Sequence, residues 1–193
     1  MKVAIIKYNS GNIQSVAFAL ERLNVMSVIT DNAEELSAAD KIIFPGVGEA
    51  SSAMAYLKAQ KLDKVIVGLK QPVLGICLGM QLMCKFSEEG STDCLGIFDQ
   101  KVLKFSAENK VPQMGWNTIE NLKSKIFDKI REREHMYFVH SYYVENGLNT
   151  IATTDYGMQY SSALQKNNFY GVQFHPEKSS ESGQVILQNF LEL

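Results

Sequence analysis

Pro72-Val73-Leu74-Gly75-Ile76-Cys77-Leu78-Gly79-Met80-Gln81 begins as an unbroken apolar run and ends in a helix-forming one, with a cysteine at the join. Pro72 to Ile76 has no polar alternation, which fits a short strand buried on both faces, and Leu78 to Phe86 is expected to be helical. A strand that turns into a helix at a nucleophilic side chain is the thiol form of a nucleophile elbow. Gly75 and Gly79 flank the thiol without Cβ atoms, so the chain can turn sharply and neighbouring backbone can approach. Free N–H groups and the positive dipole end of the helix favour thiolate over thiol. They also set a donor, the N–H of Leu78, where an oxyanion would develop beside the sulfur. The same string fits a buried structural cysteine between packing glycines equally well.

Working outward, the first half alternates strand and helix signals. Val3 to Ile6, Val25 to Ile29 and Lys41 to Phe44 are apolar strand candidates. Asn12 to Leu23 carries Val16, Ala19, Leu20 and Leu23 at helical spacing, and Thr30-Asp31-Asn32 is a cap signal before Ala33 to Ala38. Glu49 to Ala59 and Leu62 to Leu69 also read as helices. This order predicts an α/β fold with a mostly parallel open sheet and helices on both faces. The second half is richer in aromatic and β-branched residues. Val102 to Phe105, Tyr137 to Val139, Tyr142 to Val144, Ile151 to Thr154, Ser162 to Gln165 and Tyr170 to Phe174 predict short strands, some antiparallel. A helix over Gln184 to Leu191 follows. No repeat, low-complexity segment or linker interrupts residues 1–193, so a single domain is expected.

Composition narrows the classes of function. A net charge of −2 and no Lys/Arg-rich tract leave nucleic-acid binding without an electrostatic footprint. The longest apolar runs are far too short to span a bilayer, and Met1 to Ile6 does not resemble a signal peptide. Three cysteines, Cys77, Cys84 and Cys94, argue against a disulfide scaffold and for a reducing, cytoplasmic setting. Without a Cys-x-x-Cys or His-x-x-x-His pair, neither a metal nor a cofactor is expected. Cys84 is assigned to the core and Cys94 to a loop, and His135 follows the solvated charge run Arg131 to Glu134.

Two further strings gain meaning beside Cys77. In Gly171-Val172-Gln173-Phe174-His175-Pro176-Glu177-Lys178, residues two apart along an extended segment face the same side. Glu177 can therefore orient the His175 imidazole, leaving the other ring nitrogen for the Cys77 proton. A surface turn with solvated His and Glu is the competing reading. Phe44-Pro45-Gly46-Val47-Gly48 follows a strand and has two glycines whose peptides can reorient to aim an N–H at an oxyanion. It lacks the Gly-Lys-Ser/Thr ending of a P-loop, and alone it would be a plain turn. Together, the three strings are expected at the carboxyl edge of a parallel sheet, where open α/β folds bind ligands.

At Gly75-Ile76-Cys77-Leu78-Gly79-Met80-Gln81 and Phe174-His175-Pro176-Glu177 the chain resembles the class I glutamine amidotransferases. Ser10 through Val16, Phe44 through Gly48, Met114-Gly115-Trp116-Asn117 and Tyr137 through Tyr142 extend the resemblance to glutaminase subunits of histidine biosynthesis. The resemblance implies a flavodoxin-like fold and a Cys77–His175–Glu177 triad that hydrolyses glutamine through a thioester. It implies an oxyanion site of Val47, Gly48 and Leu78, and a glutamine pocket of Gly46, Gln81, Glu89, His140, Ser141 and Tyr142, with Glu89 meeting the α-ammonium. It further implies a heterodimer with a (β/α)8-barrel cyclase contacted through Asn12, Trp116, Asn117, Tyr137 and Lys178. Two strings depart from the family's usual pattern: Lys7-Tyr8-Asn9-Ser10, and Gln113 before Met114. Residue by residue, other readings stay open. His140 suits a structural histidine, Trp116 a polar loop, and Glu89 an exposed helix C-terminus. The competing functions are an amidotransferase of another pathway, a cysteine peptidase and a non-catalytic binding subunit.

Overall fold

The computed structural model describes residues 1–9, 13–106 and 108–193. Strands β1 (Val3–Ile6), β2 (Ser27–Thr30), β3 (Lys41–Phe44) and β4 (Val73–Ile76) are parallel in the order β2-β1-β3-β4. Every residue of β1, β3 and β4 is buried, because helices cover both sides. Val3 and Ile5 face one apolar cluster, with α1 (Ile13–Arg22), while Ala4 and Ile6 face the other. The second cluster is covered by α2 (Ala33–Ser37), α3 (Ala50–Ala59), α4 (Leu62–Gly68) and α5 (Leu78–Leu82). Asn32 caps α2 by accepting hydrogen bonds from the N–H groups of Glu34 and Glu35, as the sequence signal predicts.

The helix after Cys77 is shorter than expected and stops at Leu82. Its last turn tightens into three-residue bonds, Met83 N–H to Met80 and Cys84 N–H to Gln81. Incoming N–H groups of Leu95, Phe98 and Gly96 then take the carbonyls of Leu82, Met83 and Cys84, so a loop distant in sequence ends the helix. Two short strands follow, β5 (Phe86–Ser87) and β6 (Thr92–Asp93). Cys84 is fully buried and Cys94 lies just past β6.

The strands of the second half extend the same sheet, apart from one separate two-stranded ribbon. They are β7 (Lys101–Lys104), β8 (Gln113–Ile119), β9 (Glu134–His140), β10 (Tyr142–Val144), β11 (Thr150–Asp155), β12 (Gln159–Lys166) and β13 (Phe169–Val172). β13 runs parallel to β4, while β12 pairs antiparallel with β13, β10 and β11. The antiparallel region is thus an extension of the parallel sheet. β8 and β9 form a separate antiparallel ribbon. α6 (Ser180–Leu191) packs Ile186, Leu187 and Phe190 into the core. Strand β8 escaped the sequence reading, because its residues, Gln-Met-Gly-Trp-Asn-Thr-Ile, carry no clean alternation. Trp116, expected in a polar loop, therefore sits in a strand. Its direct partner there is Tyr137, with ring centroids 6.0 Å apart.

Candidate active site

β3, β4 and β13 are neighbours in one parallel block, so the segments leaving their carboxyl ends emerge side by side. Cys77 follows β4, and its N–H donates to the Val172 carbonyl of β13 at 2.8 Å. Its backbone has φ 52° and ψ −110°, a strained geometry for a residue with a Cβ, held by the strand on one side and α5 on the other. The turn leaves no room at its flanks. A Cβ on Gly75 would lie 2.4 Å from Met83 Cε, and one on Gly79 would lie 1.8 Å from the Phe44 carbonyl oxygen. The close backbone approach expected of these glycines is therefore present.

His175 and Glu177 meet, though not along an extended strand. His175 is itself extended (φ −101°, ψ 94°), but Pro176–Lys178 then winds into a single 3-10 turn. His175 Nδ1 lies 2.8 Å from Glu177 Oε1, with both side chains removed from solvent. The turn is braced twice: the His175 N–H donates to the Tyr137 carbonyl at 2.9 Å, and the Ser179 hydroxyl donates to the His175 carbonyl at 2.7 Å. With Nδ1 taken by Glu177, the buried Nε2 is the ring nitrogen left for the Cys77 side chain, which acts on this imidazole. Burial pulls the imidazole pKa down, but the Cys77 sulfur and Glu177 outweigh it and push it up to about 10. Such a ring is built to accept and hold a proton beside the sulfur.

A cavity of about 310 Å³ opens at the sulfur, within the size range of small-molecule sites. Val47, Gly48, Leu78, Gln81, Glu89, His140, Ser141 and Tyr142, all expected around the ligand, line it together with Cys77. Pro112 and Val139 line it too and were not anticipated. Gly46 stands behind the wall, where its carbonyl accepts the Leu78 N–H at 3.3 Å. The expected oxyanion donor is thus engaged internally. Tyr8 anchors this loop, donating its hydroxyl to the Pro45 carbonyl at 2.7 Å. Gly48 has φ 129°, a left-handed conformation that favours glycine, and among the described residues nothing lies within 4 Å of its Cβ position.

Glu89 is not at a helix C-terminus. One carboxylate oxygen accepts the Ala50 N–H of α3 at 2.9 Å, at the positive dipole end, which favours an anion. Burial raises its pKa, and the Ala50 hydrogen bond opposes that rise. His140 lines the cavity with its ring fixed in place: Nδ1 lies 2.7 Å from the Tyr142 carbonyl and Nε2 3.3 Å from the Tyr160 hydroxyl. Desolvation pulls it down to about 4, against the Tyr142 hydrogen bond, so it is neutral near pH 7 and acts by geometry. Gln81 donates to the same Tyr142 carbonyl at 2.9 Å. Gln113 is buried and accepts from Tyr160 at 2.9 Å, so that departure from the family pattern lies in this inner network.

The residues expected at a partner surface divide. Trp116 is 54% exposed, beside Met114 at 64%, on the β8–β9 ribbon next to the cavity wall. Tyr137 is half-buried against Trp116, and Lys178 is exposed. Asn117 is tied back to β11, donating to the Asp155 carbonyl at 2.9 Å. Asn12 lies outside the described residues.

The family model "Glutamine amidotransferase class-I" matches residues 4–193, and the chain belongs to that family. It is 61% identical to "Imidazole glycerol phosphate synthase subunit HisH" of Bacteroides fragilis (strain YCH46), with both chains covered completely. It is 44% identical to the protein of that name in Haemophilus influenzae (strain ATCC 51907 / DSM 11121 / KW20 / Rd), covering 100% of this chain and 98% of the other. Among solved structures, a glutamine amidotransferase from Thermotoga maritima superposes with a TM-score of 0.67 at 17% identity, covering 99% of this chain and 82% of that one. The last likeness concerns the fold alone.

Proposed function

We propose that the chain is the glutaminase subunit of an imidazole glycerol phosphate synthase, acting in the cytoplasm on glutamine with Cys77, His175 and Glu177 as its triad. The buried 2.8 Å His175–Glu177 contact carries the chemistry, because it orients the imidazole and leaves the other ring nitrogen for Cys77, whose side chain interacts with the ring. His175 takes the Cys77 proton, and the thiolate attacks the side-chain amide carbon of glutamine. The imidazolium then protonates the amide nitrogen, the C–N bond breaks, ammonia leaves and a thioester remains. Water, losing a proton to His175, attacks that thioester. Glutamate departs and the sulfur is reprotonated.

The partner is a (β/α)8-barrel cyclase seated on the apolar face around Trp116, Met114 and Tyr137. A large exposed aromatic beside a catalytic cavity is what an interface anchor requires. The barrel uses the ammonia to convert phosphoribulosyl-formimino aminoimidazole carboxamide ribotide into imidazole glycerol phosphate and aminoimidazole carboxamide ribotide. The pathway rests on the full-length relatives at 44% and 61% identity.

The isolated chain withholds an oxyanion donor, since the Leu78 N–H is bound to Gly46. One such donor is worth about 10²–10³ in turnover. Glutaminase activity of the chain alone is therefore expected to be low, rising about 10²-fold or more with the cyclase and its nucleotide ligand. Full activity without the partner would remove the gating, and no glutamine turnover in either state would remove the function.

Glu89 is read as the counter-charge for the α-ammonium of glutamine. Glu89→Gln keeps an acceptor for the Ala50 N–H but loses the charge. A charge-assisted hydrogen bond is worth roughly 1.5–3 kcal/mol, so KM for glutamine is expected to rise about 10- to 100-fold while kcat changes less. Steady-state kinetics of the assembled enzyme measures this, and an unchanged KM would dismiss Glu89 from substrate binding.

A further inference from the structure

Besides His175, a second polar side chain addresses the Cys77 sulfur. Gln173 is wholly buried, in the bend one residue past β13 and two before His175. Its Nε2 lies 3.6 Å from Cys77 Sγ. Its Oε1 accepts from Gln81 Nε2 at 2.9 Å, and Gln81 also donates to the Tyr142 carbonyl at 2.9 Å. This chain fixes the amide's orientation. Turned over, Gln173 would set its NH2 against that of Gln81 and its oxygen against the sulfur. Its backbone is held as well, through the N–H donated to the Ser162 carbonyl at 2.9 Å.

We propose that Gln173 is a hydrogen-bond donor to the reactive sulfur, holding Cys77 aligned and favouring its anionic form. The inference rests on Cys77 being the nucleophile. The sulfur also lies 3.8 Å from the Val139 carbonyl, which accepts from a thiol S–H but repels a thiolate. Loss of the thiol proton therefore exchanges an acceptor neighbour for two donors, the His175 imidazolium and the Gln173 amide. Because the amide sits in a dry site, its dipole acts on the sulfur with little screening by solvent. Gln81 positions it from behind, linking the wall of the cavity at Tyr142 to the nucleophile.

The test is alkylation of Cys77 by iodoacetamide in the full chain, followed peptide by peptide by mass spectrometry from about pH 5 to 10. Gln173→Met keeps length without a donor, and its alkylation midpoint is expected to move up by about one pH unit. Near pH 7 that is about a tenfold slower reaction. Gln173→Glu keeps the shape but turns a carboxylate on the sulfur, and its midpoint is expected to move further up. Unchanged midpoints in the variants that fold, checked by circular dichroism and thermal melting, would overturn the assignment. Should neither variant fold, Gln173 is a structural residue and the assignment falls. A wild-type profile indifferent to His175→Gln would instead defeat the triad reading.

Discussion

Cys77→Ala is expected to abolish glutamine-dependent synthesis by the assembled enzyme while leaving ammonia-dependent synthesis intact. The substitution removes one sulfur atom from a site whose other parts are independently anchored. His175 remains held by Glu177, the Tyr137 carbonyl and the Ser179 hydroxyl. Alanine keeps a Cβ, so the strained turn at φ 52° is no more costly than before. Without a nucleophile no thioester forms, and glutamine turnover should fall by about 10⁴-fold or more. Free ammonia needs neither thiol nor imidazole, so the partner's reaction should proceed. The measurement is product formation by the reconstituted complex with glutamine or with an ammonium salt as nitrogen donor. Loss of both activities would contradict the division of labour, and retention of both would remove Cys77 from catalysis.

The largest effect on stability is expected at Gly79. A methyl group there would sit 1.8 Å from the carbonyl oxygen of Phe44 and 2.8 Å from its carbon. Both atoms are backbone at the end of β3, a central strand whose residues are all buried. Neither can rotate aside, so α5 or β3 must shift, and β3 carries the Pro45–Gly48 loop. Overpacking against fixed backbone costs about 3 kcal/mol or more, a large part of the stability of a domain. Gly79→Ala is therefore expected to lower the denaturant midpoint severely or to yield no folded chain. Gly68 is the control. It ends α4 and has nothing within 4 Å of its Cβ position, so alanine there should be neutral or slightly stabilising. A Gly79→Ala protein melting like the Gly68→Ala protein would show that α5 tolerates displacement.

Local pattern carried most of the first half of the chain. β1, β3 and the cap of α2 matched their expected positions because each rests on neighbours in sequence: an apolar run, or Asn32 placed to accept from Glu34 and Glu35. Misreadings came where distant groups decide. Leu78–Leu82 stops early because the 95–98 loop takes its carbonyls, and β8 forms because β9 pairs with it across a polar stretch. The helix C-terminus left open for Glu89 gives way to the start of another helix, α3, whose Ala50 N–H it accepts.

The residue types at Cys77, His175 and Glu177, their glycine flanks and the strings around them determined the family and the expected site without coordinates. Those features are local, and covalent spacing conveys them. Which ring nitrogen of His175 is left for Cys77, the engagement of the Leu78 N–H by Gly46, and the aim of Gln173 at Cys77 from 96 positions away were decided by the tertiary structure alone. Hydrogen bonds and burial depend on angles and distances between strands that meet only after the sheet has formed. No spacing along the chain encodes them.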